Sequence, residues 1–201
     1  DLNPSGFTFS SASGISGNYQ VGYAGGSATA NHSHAILWNG SAANYVDLNP
    51  SGFIESYAEG ISGNQQVGHG NGSATGNKNH ALLWNGSAAN YVDLNPSGFI
   101  ESSALATSGN QQVGRGQGSA TGNKDHALLW NGSAADYIDL HQLLPAGFVS
   151  SYAESIDIYG NISGVAIDNS GNFHAIVWLV PEPTTLALIG LGIAMMRKYR
   201  K

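Results

Sequence analysis

Apolar residues in this chain come in short runs, cut off by polar residues and glycine before a helical spacing can repeat for three turns. Ala81-Leu82-Leu83-Trp84 is one such run, the pattern of a strand buried on both faces. Around it, 55–61, 65–70, 80–85 and 90–94 read as four strands in chain order. The breaks between them are Ser-Gly-Asn, Asn-Gly-Ser and Asn-Pro-Ser-Gly. Gly and Asn tolerate positive φ and Pro presets a turn, so each break is a turn signal. The body is predicted to be all-β.

The same pattern returns along the chain. Asp-Leu recurs at Asp1, Asp47, Asp93 and Asp139, at intervals of 46 residues, and Trp38, Trp84, Trp130 and Trp178 follow at 46, 46 and 48. Residues 47–92 and 93–138 agree at 37 of 46 positions, which implies duplication. The divisions are 1–46, 47–92, 93–138 and 139–179, followed by a distinct segment, 180–201. The fourth unit diverges: Asp139 to Phe148 is three residues longer than Asp93 to Phe99, and 158–172 replaces the Gly-rich stretch. A period of this size marks a solenoid, propeller or array whose units cannot bury their apolar faces alone. Four strands in 46 residues is the size of a propeller blade, with a β-solenoid as the competing architecture. The expectation is a propeller-like array of four four-stranded units in a ring or an arc, with equivalent Trp residues buried between neighbours. The stub Asp1-Leu2 is expected to lie beside the last unit and close the ring.

Composition narrows the function. Hydrophobic residues make up 41% of the chain and aromatics 9%, enough for a core, while charged residues are only 10%. The 28 Gly and 6 Pro fall short of a low-complexity disordered tract. Cysteine is absent, which excludes disulfides and thiolate metal sites. Residues 1–180 carry twelve acidic and three basic side chains (Lys78, Arg115, Lys124), a balance of −9, whereas 181–201 balance at +3. An acidic body repels phosphate backbones, so nucleic acid is not an expected partner. The basic end suggests a tail with its own task. Asp1 is not an initiator Met and no signal-peptide pattern follows it, which predicts a processed or truncated chain.

Candidate chemistry is sparse. His34, His80, His126 and His174 occupy one equivalent position, but sites a whole unit apart cannot share an ion. Each imidazole is expected instead to bond backbone beside its Trp, and no metal or other cofactor is predicted. Asp47-Leu48-Asn49-Pro50-Ser51-Gly52 has the oxygen spacing of the front half of a calcium loop. The twelfth position holds Ala58 rather than a bidentate Glu, so a turn is the better account. Gly114-Arg115-Gly116-Gln117-Gly118 imitates a phosphate loop in composition only, since no helix follows it. Every Ser, His and Asp that might join a nucleophile–base set recurs in each unit, as scaffolding would. In the divergent unit, His141, Asp157, Tyr159 and Asp168 form no familiar motif. The body is predicted to be non-catalytic.

Two resemblances extend this reading. The His-Ala-x-x-Trp cores at His34, His80, His126 and His174, preceded by Ile-Ser-Gly-Asn-x-Gln-Val-Gly at Ile15 and Ile61, resemble the HAF-type extracellular repeats of bacteria. That implies an exported, propeller-like repeat domain with no known catalytic activity. The end of the chain reads Pro181-Glu182-Pro183, then thirteen uncharged residues (184–196), then Arg197, Lys198, Arg200 and Lys201 around Tyr199. This order resembles the PEP-CTERM sorting signal, a Pro-Glu-Pro motif followed by a short apolar helix and a basic end. The resemblance implies recognition and cleavage by an exosortase, in a bacterium that makes exopolysaccharide. Thirteen helical residues rise about 20 Å, short of the roughly 30 Å hydrocarbon core, which suits transient anchoring in the inner membrane. The basic end stays cytoplasmic and leaves the acidic body outside. Three functions follow in order: an exported surface or matrix scaffold, a glycan- or exopolysaccharide-binding module that uses exposed Tyr, Asn and loop amides of the repeats, and a propeller enzyme with its site where the blade loops converge.

Overall fold

The computed structural model describes residues 1–179. They form four antiparallel sheets, with almost no helix. The first sheet is β1 (Phe7–Ser16), β2 (Tyr19–Gly26), β3 (Ser33–Ser41) and β4 (Asn44–Asp47). The second is β5 (Phe53–Ser62), β6 (Gln65–Gly72), β7 (His80–Trp84) and β8 (Tyr91–Asp93). The third is β9 (Phe99–Ser108), β10 (Gln111–Gly118), β11 (His126–Ser133) and β12 (Asp136–Asp139). Among the described residues the fourth has β13 (Phe148–Ile156), β14 (Ile162–Asp168) and β15 (Phe173–Trp178), and the place of a fourth strand after Trp178 lies outside them. Strands follow chain order within every sheet, so each connection is a hairpin.

Local chemistry explains the hairpins. A Cβ on Gly68 would overlap the carbonyl oxygen of Tyr57 on the paired strand, and Gly22, Gly114 and Gly164 face the same conflict. Glycine is therefore obligatory where the first two strands of each sheet approach most closely. Buried Gln66 closes the other side. Its amide donates to the Asn64 carbonyl (2.8 Å) and its oxygen accepts from the Gly86 N–H (2.8 Å), tying the hairpin turn to the end of the third strand. Gln112 repeats this with Asn110 and Gly132. In the Gly-Ser-Ala-Thr stretches, Thr75 Oγ1 accepts from the Gly72 N–H (3.1 Å) across a 3-10 turn, Ser73–Thr75.

The apolar core lies between consecutive sheets. Trp84 packs with Val21, Leu37, Leu48 and Phe53, joining the first sheet to the second. Trp130 sits among Val67, Leu83, Leu94 and Phe99, joining the second to the third. Trp178 meets Val113, Leu129, Leu140 and Ile156, joining the third to the fourth. Trp38 is covered from the other side by Phe7, Ala24, Ile36 and Leu2. Leu2 thus packs on the first sheet, and the residues ahead of β1 form no strand, which corrects the expected closure beside the last sheet. The expected apolar helix at 184–196 lies outside the described residues.

Candidate functional site

Two parts of the molecule carry side chains arranged for more than core packing. The first is the line of junctions between sheets. β3 ends its turn at His34, whose Nδ1 lies 2.7 Å from Asp47 Oδ2 at the end of β4. His80 meets Asp93 (2.7 Å) and His126 meets Asp139 (2.8 Å) in the same way. The partner is thus a carboxylate rather than the backbone that the sequence suggested. The other carboxylate oxygen of Asp47 accepts from the Asn49 N–H (2.8 Å), an Asx turn that directs the chain toward the next sheet. There Ser56 donates to Asn49 Oδ1 (2.7 Å), and its hydroxyl oxygen accepts from the Ala35 N–H (3.0 Å) of the preceding sheet. Asn95, Ser102 and Ala81 build the same polar staple one junction later. The Asp-Leu-Asn-Pro motif, read above against a calcium loop, has its Asp and Asn oxygens committed to these bonds.

At the third junction His141 replaces the Asn. Its Nδ1 is 2.9 Å from Ser151 Oγ, which again accepts from the backbone, here the Ala127 N–H (2.9 Å). The ring stacks on His126, with centroids 4.0 Å apart. Burial, with the neighbouring His126, pushes the His141 pKa down, so the neutral ring is favoured. A Ser–His contact invites a catalytic reading, but Ser151 is fully buried and its oxygen is already engaged, so no substrate carbonyl can reach it. His174 departs from the series, contacting Asp168 through Nε2 at 3.1 Å. Asp157 and Asp168 cap the two turns of the fourth sheet, accepting from Asn161 and Asn172. Hydrogen bonds from Asn172 hold the Asp168 carboxyl well below the usual carboxylate range.

The four Trp rings are buried. Only the Trp178 indole N–H has a partner, the Leu140 carbonyl (3.1 Å). Those of Trp38, Trp84 and Trp130 have none among the described residues, so these rings act as apolar mass. Also among the described residues, no group of three or more His, Asp or Glu is placed to hold a metal ion, and no helix is long and apolar enough to cross a membrane.

For the second part the sequence offered the residue types, exposed Tyr and Asn of the repeats, but not their placement. This part is a polar and aromatic face running over the paired first and second strands of successive sheets. Tyr23 on β2 meets Tyr57 on β5 edge-on (5.0 Å), and Tyr57 stacks on His69 of β6 (5.1 Å, 20°). Burial and the Arg115 charge hold the His69 pKa down at about 4, and burial raises that of Glu59, whose carboxylate is 3.9 Å away. Arg115 on β10 lies over the Tyr152 ring of β13 at 5.1 Å, and the Tyr152 hydroxyl donates to Asp125 (3.5 Å). Arg115 stands between a polar cleft of about 100 Å³, lined by Glu101, Gln117 and Asp125, and a more open one of about 400 Å³ beside Tyr152 and Glu154. A signal for this face was present in the sequence: it holds five of the nine positions at which the near-identical stretches 47–92 and 93–138 differ.

The predicted sorting residues Pro181, Glu182, Pro183, Arg197, Lys198, Arg200 and Lys201 lie outside the described residues. In sequence, residues 179–201 match the PEP-CTERM protein-sorting motif. Motifs of this type are recognised by exosortase and indicate export and sorting to the cell surface. Comparison with curated proteins and with solved structures found no match.

Proposed function

We propose that the chain is an exported bacterial surface or extracellular-matrix protein whose all-β body is a non-catalytic scaffold. The observation that carries this reading is the sorting motif at 179–201. An exosortase-type enzyme handles the Pro181-Glu182-Pro183 region while the apolar segment and the basic end hold the precursor briefly in the inner membrane. The body is then released to the surface or matrix, where exopolysaccharide surrounds it. We assign residues 1–179 to HAF-type, propeller-like repeats on the strength of the His-Ala-x-x-Trp cores and the 46-residue period. Two features support a scaffold: the junction side chains are spent on bonds between sheets, and the Ser151 hydroxyl that meets His141 is itself fully buried.

The test uses the host machinery. Glu182→Ala should leave the melting temperature of the body unchanged, because Glu182 follows residues 1–179 in sequence, while the uncut form accumulates in membranes. Normal processing of Glu182→Ala, with the same yield outside the cell, would contradict recognition at this motif. Removing residues 197–201 should impair membrane retention or orientation, since the anchoring charges are lost.

A further inference from the structure

Residues 47–92 and 93–138 differ at nine positions, and five of these fall on one face. On the strands, Tyr57, Glu59 and His69 of the second sheet correspond to Ser103, Leu105 and Arg115 of the third. At the rim, Asn71 and Asn79 correspond to Gln117 and Asp125. The register places them together: Tyr57 pairs with His69, and Ser103 with Arg115. Asn71 bonds Asn79 (3.2 Å), while Gln117 and Asp125 line the cleft beside Arg115. The fully buried apolar positions, such as Val67 and Val113 or Trp84 and Trp130, are unchanged, as close packing requires, whereas Ile61 at the edge of the core becomes Thr107. Five of the nine changes thus share this partly exposed face, while Asn90 and Val92, replaced by Asp136 and Ile138, lie at the outer strand.

We propose that this face binds an extended neutral polysaccharide, laid across the sheets. Tyr23, Tyr57 and Tyr152 are partly exposed, and although His69 covers one face of Tyr57 and Arg115 one face of Tyr152, the ring surface left open offers apolar contact for the C–H faces of sugar rings. The amides and carboxylates beside them accept and donate to hydroxyls, the mixture of apolar surface and few polar groups that orients a ligand. The aromatic contacts cross the boundary between the first and second sheets, and the Arg115–Tyr152 contact crosses that between the third and fourth. With packed sheets about 10 Å apart, the row is on the order of 30 Å long, suited to a chain rather than to a single sugar. Charge selects the class. Glu55, Glu59, Glu101, Asp125 and Glu154 outnumber Lys78 and Arg115 around the row, and Lys78 is itself paired with Glu101 (3.6 Å), so anionic polymers are repelled.

The experiment measures binding of the purified full chain to soluble neutral glucans, mannans and galactans, with a polyuronate as the anionic comparison. At least one neutral polymer should bind and the polyuronate should not. Tyr57→Ala and Tyr152→Ala should each weaken binding about tenfold, the effect of losing one stacking contact. Tyr159→Ala, on the exposed turn between β13 and β14, should leave it unchanged. Ser103→Tyr with Arg115→His, which copies the second sheet onto the third, should strengthen binding and keeps the test open if Tyr57→Ala fails to fold. Retention of the polyuronate alone, no binding to any neutral polymer, or full affinity in folded Tyr57→Ala and Tyr152→Ala would overturn the proposal. Because the measurement is made on purified protein, its outcome is independent of whether the tail is processed.

Discussion

The second and fourth sheets solve the same packing problem on one side and different problems on the other. Toward the preceding sheet they are alike. Ser56 and Ser151 are both fully buried and both accept a backbone N–H from across the junction, and Ala58 and Ala153 are equally sealed. Toward the following side they diverge. Leu83 of β7 is 3% exposed beneath the third sheet, whereas Val177, its counterpart on β15, is 60% exposed. Buried Val67 becomes exposed Ser163, and among the described residues the sheet has three strands. The inward half of each sheet is therefore what stacking demands. The outward half matters only where another sheet of the described body rests on it. Divergence in sequence follows that division.

The largest expected effect is at the junctions. Trp84→Ala should cost about 3–5 kcal/mol in urea unfolding, because the cavity opens between two sheets and neither can collapse alone. Trp84→Phe should cost clearly less, since the indole N–H has no partner to lose. Equal losses in the two variants would break the account of the ring as apolar mass. Acid should come next. His69 has a folded pKa of about 4, against an ordinary value of 6.5, because burial and Arg115 disfavour its cation. Its neutral form is thus the folded one: stability is full above pH 6.5, falls as the pH drops toward 4, and is level below that. The shift corresponds to roughly 3 kcal/mol. His69→Val, which installs the residue found at the fourth sheet's equivalent, Val165, should flatten that slope in pH-dependent melts; an unchanged slope would place the acid sensitivity elsewhere.

The staple is smaller. Ser102→Ala should cost about 1–3 kcal/mol by taking from the Ala81 N–H and from Asn95 Oδ1 their shared hydroxyl partner. Ser151→Ala should cost about as much if the His141 version of the staple is equivalent, and a difference beyond about 1 kcal/mol between them would show that it is not. At the bottom of the scale, Val177→Ala should change stability by no more than about 0.5 kcal/mol. Leu83→Ala should cost about 2–5 kcal/mol. A Val177 variant as damaging as the Leu83 one would mean that the outward face of the fourth sheet is covered after all.

The all-β body was legible because its signals are local. Ala81 to Trp84 is apolar without a break, and Ser-Gly-Asn marks each hairpin. The strand expected at 80–85 differs from β7 by one residue. The fourth sheet was harder to read because its equivalences hold in space and not in spelling. Gly164 performs the task of Gly68 without the Gln-Val-Gly around it, and Ile162 fills the site of the buried Gln. The imidazole partners were misread because Asp47 lies thirteen residues from His34, a contact that only strand pairing creates. The variable face was visible one substitution at a time. That Tyr57 and His69 share a surface with Tyr23 and Arg115 depends on how the sheets stack, which no spacing rule supplies. The Pro-Glu-Pro motif needed no fold at all: its parts are contiguous and ordered.

The central claim is that residues 179–201 act as a sorting signal for an exported body, and the mature C-terminus tests it most directly. Mass spectrometry of the protein recovered outside cells that possess the processing enzyme should find chains that end near Pro183 and lack residues 184–201. Mature material that retains 184–201 intact would contradict the account.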